Sequence, residues 1–75
     1  AAHGVIGTST HGYGGEFAGG LAALHLEPTP TAGPPRSLPH RVGDLMVDAT
    51  GALYVCVRAG IPGTWKQVVV YERRG

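Results

Sequence analysis

From Gly4 to Gly20 the chain reads GVIGTSTHGYGGEFAGG, and seven of these seventeen residues are glycine. Each interior glycine costs a helix about 1 kcal/mol against alanine, so no stable helix runs through the stretch. Val5, Ile6, Tyr13 and Phe17 are spaced along it. They offer too little apolar surface to fold alone, yet they recur too regularly for a plain linker. GVIGTSTHGY is followed by GGEFAGGLAA, so Gly4 maps to Gly14 and the pair Val5–Ile6 maps near Phe17 at an offset of ten. Two copies do not establish a repeat. They suit short strands joined by tight turns, with glycine at positions that need positive φ.

The rest of the composition sharpens the problem. With 75 residues the chain makes at most one small domain, and domains of this size bury only about 60% of the surface their unfolded chains expose. Cys56 is the single cysteine, which excludes an intrachain disulfide, and 13 Gly and 6 Pro raise the entropic cost of order. The net charge of +1 makes no electrostatic case for nucleic acid or an anionic membrane. No apolar run approaches the roughly 20 residues of a membrane span, so membrane insertion is not expected. The opening AAHGV lacks the charged and apolar regions of a signal peptide and begins with Ala1 rather than Met, which reads as a processed product or an excised fragment. A chain of this kind needs a stabiliser from outside itself, and a partner chain is the leading candidate.

Three zones follow along the chain. Residues 1–27 hold the glycine-rich stretch and a first strand, expected from LAALHLEP, where Leu24 and Leu26 share one face and His25 and Glu27 the other. The competing reading is one helical turn through Leu21 and Leu24; Gly19, Gly20 and Pro28 leave little room for it. Residues 28–41, PTPTAGPPRSLPHR, contain five of the six prolines. They exclude a helix or a central strand and predict an extended crossover arm, either functional or laid against a surface. Residues 42–75 read as a three-stranded antiparallel meander. In DLMVD, Leu45 and Val47 oppose Met46; in ALYVCVR, Leu53, Val55 and Val57 oppose Tyr54, Cys56 and Arg58. DATG between them predicts a turn with Gly51 left-handed. After the turn AGIPGT, TWKQVVVYE supplies a third strand with Trp65, Gln67 and Val69 on one face. Apolar residues on both faces imply that the outer face is also covered.

Residues of chemical interest do not form a signature. His3, His11, His25 and His40 are spaced by eight, fourteen and fifteen, without the close pair of a zinc-site half. A metal is therefore not expected, save where a histidine near a threefold axis would be presented three times. Ser9, Ser37, Cys56, Asp44 and Asp48 lie in no nucleophile elbow. Cys56, between Val55 and Val57, reads as a packed and inert thiol, and Asp48 as a turn residue bonded to nearby backbone. GYGGEF lacks the Gly-Lys-Ser/Thr and following helix of a phosphate loop. No catalytic residue and no cofactor are expected.

GVIGTSTHGYGGEFAGG resembles the repeats of glycine-rich fibre proteins with the pattern G-V-x-G-x-S-x-x-G-x-G. LAALHLEP, the proline-rich crossover, VGDLMVDATGALYVCVRAG and PGTWKQV together resemble the module that ends such chains. The resemblance covers almost the whole chain through short, degenerate pieces in a definite order. It implies a phage-type tail fibre or a bacterial surface fibre: extracellular, on a virion or cell-surface appendage. It also implies an all-β, intertwined homotrimer, with a triple-stranded segment formed around the threefold axis by the glycine-rich stretch and followed by the meander. Its C-terminal module would set register and cap three chains.

The physical reading points the same way, because closed symmetric assembly stabilises a small chain without leaving open sheet edges. The residues expected at the trimer interface are Val5, Ile6, Phe17, Leu21, Leu24 and Leu26, then Leu45, Val47, Leu53, Val55 and Trp65 of the meander. The proline-rich arm is expected to wrap a neighbouring chain. The alternative function is a binding tip for a host-cell surface glycan or receptor, with Tyr54, Trp65 and Tyr71 or the loops at 28–41 and 59–64 as the contact. An exposed aromatic platform would favour it; a packed Trp65 would favour assembly.

Overall fold

The computed structural model describes residues 3–69, 71 and 72. Its regular structure is one antiparallel sheet of strands β1 (Leu45–Val47), β2 (Leu53–Arg58) and β3 (Thr64–Gln67), in the order β1-β2-β3. The chain is all-β, with no helix among the described residues.

The expected hairpin forms where alternation and turn chemistry agree. Leu45 pairs with Val55, Met46 with Tyr54 and Val47 with Leu53. The Asp48 N–H donates to the Ala52 carbonyl, the Gly51 N–H to the Asp48 carbonyl, and Gly51 has φ 89°. A three-residue hairpin loop with a left-handed glycine has this pattern. Gly63 is left-handed too, at φ 89°. A Cβ there would also stand 2.7 Å from the Arg58 carbonyl oxygen and 3.2 Å from Cys56 Sγ. The neighbouring Ile61–Pro62 peptide is cis. β3 is shorter than the TWKQVVVYE pattern predicts: Val68 still donates to the Leu53 carbonyl, but the strand ends at Gln67, and Val70 lies outside the described residues.

Within the single chain the proline-rich arm lies on its own sheet. The Thr29 N–H donates to the Val47 carbonyl at 2.9 Å and the Ala49 N–H to the Thr31 carbonyl at 3.1 Å. Both segments ascend together, so the arm runs parallel to β1 and shields the C-terminal end of its outer edge at Val47. It then loops over the Met46 face and returns where His40 and Gly60 bridge antiparallel, at 2.9 and 3.2 Å. Prolines need few backbone partners, which suits a loop held by only a handful of bonds.

Within the single chain the glycine-rich stretch forms no regular strand. The left-handed glycines of the described chain are Gly33, Gly43, Gly51 and Gly63, all at or beyond the arm. Two stem glycines permit close approach: Gly7 and Gly14 meet backbone to backbone, and a Cβ on Gly7 would collide with the Gly14 carbonyl. Ser9 Oγ accepts from the Gly12 N–H at 2.9 Å and turns the chain between them. Leu21–Glu27, where alternation predicts a strand, forms none within the single chain, and its backbone takes no hydrogen bond from another described segment. A strand exists only against a partner edge, and β1, the edge nearest this segment, is already taken by Thr29 and Thr31.

Gly63→Ala is expected to destabilise the fold by about 2–3 kcal/mol, because it adds both a left-handed backbone penalty and a backbone clash. Chemical denaturation checks this; Gly20→Ala, with open space around its Cβ position, should change stability by less than about 1 kcal/mol.

Candidate functional site

Register divides the sheet into two faces. Leu45 opposite Val55 and Val47 opposite Leu53 form two aliphatic cross-strand pairs on one face, with Lys66 beside Val55. Met46 opposite Tyr54, and Cys56 opposite Trp65, lie on the other. The four aliphatic residues expected at an interface are thus brought together. Trp65 is not with them: in an antiparallel pair, directly opposed residues share a face, and Trp65 is opposed by Cys56.

The two faces are covered differently. On the Trp65 face, the His40 ring meets the Trp65 ring edge-on, with centroids 5.0 Å apart at 79°. The Trp65 Nε1–H donates to the Pro62 carbonyl at 2.9 Å. Cys56 is buried and its thiol donates to the Arg58 carbonyl at 3.2 Å, across the register shift that separates Cys56 from Arg58. Between arm and sheet lies an open cleft of about 570 Å³, bounded by Pro30, Pro34, Pro35, Leu38, His40 and Met46. Leu38 stands at this rim with φ 71°, a costly conformation for a γ-branched residue. On the aliphatic face, Leu45 remains 49% exposed and Val57 41%, while Val47, Leu53 and Val55 are half-buried.

The arm is fastened by Asp48, a residue whose long-range role the sequence does not reveal. Its carboxylate is 2% exposed. Oδ1 accepts from the Thr50 N–H at 2.9 Å, the Thr50 hydroxyl at 2.7 Å and the Ala52 N–H at 2.9 Å; Oδ2 accepts from the Gly33 N–H at 2.7 Å. The first three are the local turn bonds that DATGA predicts. The fourth crosses fifteen residues, and only the left-handed Gly33 hints at it. The Thr50 hydroxyl first, then the Gly33 N–H and the two turn amides, hold the Asp48 carboxyl down at about 2 against the opposing effect of burial. A smaller latch sits at the arm's other end. Asp44 Oδ2 accepts from the Arg41 N–H at 3.0 Å and stands 3.3 Å from His40 Nδ1, while His40 Nε2 is 3.2 Å from the Ser37 carbonyl. The Arg41 N–H chiefly, with His40 assisting, places the Asp44 carboxyl below its usual range.

These carboxylates are spent on structure, and the remaining polar groups do not converge. His25 pairs with Glu27 at 3.5 Å on the exposed stem. No group of three or more His, Cys, Asp or Glu side chains among the described residues is placed to hold a metal ion. Tyr54 lies in the sheet opposite Met46, whereas Tyr71 lies beyond β3 and is exposed. Val5, Ile6, Phe17, Leu21 and Leu24 are all exposed, and Leu26 is half-buried. No helix among the described residues is long and apolar enough to cross a membrane.

Comparisons with protein-family models, curated proteins and solved structures gave no match.

Both depressed carboxyls bind fewer protons folded than unfolded, so they stabilise the fold above the ordinary carboxyl value near 3.8; the Asp48 contribution is lost as pH falls toward about 2, and that of Asp44 as pH falls through its own lowered value. The melting temperature should therefore drop steeply between these pH values. Asp48→Asn places an amide N–H₂ against donors; it should lower the melting temperature at pH 7 by about 10 °C and flatten the acid limb. Thermal denaturation followed by circular dichroism across pH 2–7 checks both.

Proposed function

We propose that this chain is a structural trimerisation module that ends a fibre, setting the register of three copies and capping them. The observation that carries the reading is the amount and kind of surface left exposed. The chain has 6666 Å² of accessible surface, whereas a compact monomer of 7.7 kDa has about 4,300 Å². Its radius of gyration is 14.4 Å, against about 11 Å for a compact chain of this length. The excess of roughly 2,300 Å² exceeds the ~1,600 Å² that two standard interfaces take from each chain of a ring.

That surface carries the residues that elsewhere make cores. Val5, Ile6, Phe17, Leu21 and Leu24 are exposed on the stem, while Cys56 is the one fully buried hydrophobic residue among those described. The aliphatic sheet face of Leu45, Val47, Leu53 and Val55 is a second apolar surface. Burial of both sets against neighbouring copies, at about 25 cal/mol per Å², supplies the stabilisation that this chain lacks alone. The close backbone approach of Gly7 and Gly14 fits packing around an axis, where side chains have no room. The packing of Trp65, with its N–H given to Pro62, favours assembly over a sugar-stacking platform. Fibre termini work outside the cell on a virion or surface appendage, and the resemblance of the glycine-rich repeat and the closing module supports that placement.

Native mass spectrometry or light scattering at micromolar concentration should give three times 7.7 kDa; a folded monomer overturns the reading. Phe17→Asp is expected to abolish assembly, because three carboxylates would converge near one axis. Glu72→Ala should leave the mass unchanged.

A further inference from the structure

Two halves of a β-pairing remain unmet in the single chain, and they cannot meet each other within it. The first half is the free edge of β3. Val68 N–H donates inward to Leu53, so alternation turns the backbone groups of Trp65 and Gln67 outward. These take no hydrogen bond from another described segment. The second half is Leu21–Glu27, which has strand alternation but no strand.

Distance separates the two. Thr29 is bonded to the outer edge of β1, on the opposite side of the sheet from β3. A new strand beyond β3 lies four strand spacings away, about 19 Å. Leu26 is three residues from Thr29 and spans at most about 10 Å; Leu24 spans at most about 17 Å, with nothing left to run along the strand. A segment of this length from another copy has no such tether.

We propose that Leu24–Glu27 of one chain adds as a fourth strand to the free edge of β3 of the next, each chain giving and receiving once around the ring. The assignment rests on the trimer reading and names its contact. Composition selects the face. With Glu27 beside Lys66, an opposite-charge neighbour pair forms on one side. Alternation then turns Leu24 and Leu26 to the other side, against Trp65. Glu27 and Lys66 are both exposed in the single chain, and Leu24 is 61% exposed. Head-to-tail contacts of this kind close into a ring under threefold symmetry and pair the free edge of β3.

Two single variants, Glu27→Cys and Lys66→Cys, distinguished by a mass tag, are refolded together and oxidised mildly. A disulfide between the two tags is intermolecular by construction and needs Cα atoms within about 7 Å. It should form at least about tenfold faster than the link between Glu16→Cys and Lys66→Cys, because the pair is held at high effective concentration. A native trimer in which the Glu27→Cys link is no faster than the Glu16→Cys control overturns this contact and leaves the trimer standing. A monomeric native mass overturns both.

Discussion

The Asp48 carboxylate is the interaction on which the described structure depends. Among the described residues it is one of two fully buried side chains and the only charged one. Three of its hydrogen bonds shape the β1–β2 turn, and the fourth, from Gly33, binds the proline-rich arm. A buried carboxylate is tolerable only when such donors replace its water. Here four donors do so, and in return one side chain ties a loop with few backbone bonds to the sheet edge it protects.

The consequence is a fold organised around hydrogen bonds more than around an apolar core. The arm shields the outer edge of β1 at Val47 and one face of the sheet; His40 and Trp65 close that side. The aliphatic face and the stem are left with their apolar groups outward. Chains of this size rarely bury enough to be stable alone, and here exposed apolar groups lie on the stem, on the sheet face of Leu45 and in the loops at Leu38, Val42 and Ile61.

Much of the sheet was legible in advance. LMV and LYVCVR alternate cleanly, DATG names its own turn, and Gly51 falls where a left-handed residue is needed, because these are local matters of sterics and period. The pairing of Leu45 with Val55 and of Val47 with Leu53 follows directly. Trp65 was harder to place. TWKQ carries little apolar alternation of its own, so only its register against Cys56 assigns it to the opposite face from Leu45. The proline content implied an arm laid against some surface, but not which one: nothing in TAGPP or DAT says that Gly33 and Asp48 meet.

What the amino-acid sequence determined by itself is the all-β character, the hairpin, the exclusion of helix by glycine and proline, and a deficit of groups to bury. Each is set by residues within a few positions of one another, through φ preference, alternation and turn geometry. Tertiary structure alone decided that the arm folds back on its own sheet, that Asp48 holds it there, and that Gly7 and Gly14 approach each other closely. Those outcomes depend on which distant backbone groups find partners. Loop closure costs only a modest entropy that grows slowly with length, so a single well-placed carboxylate can choose among closures between which composition does not discriminate.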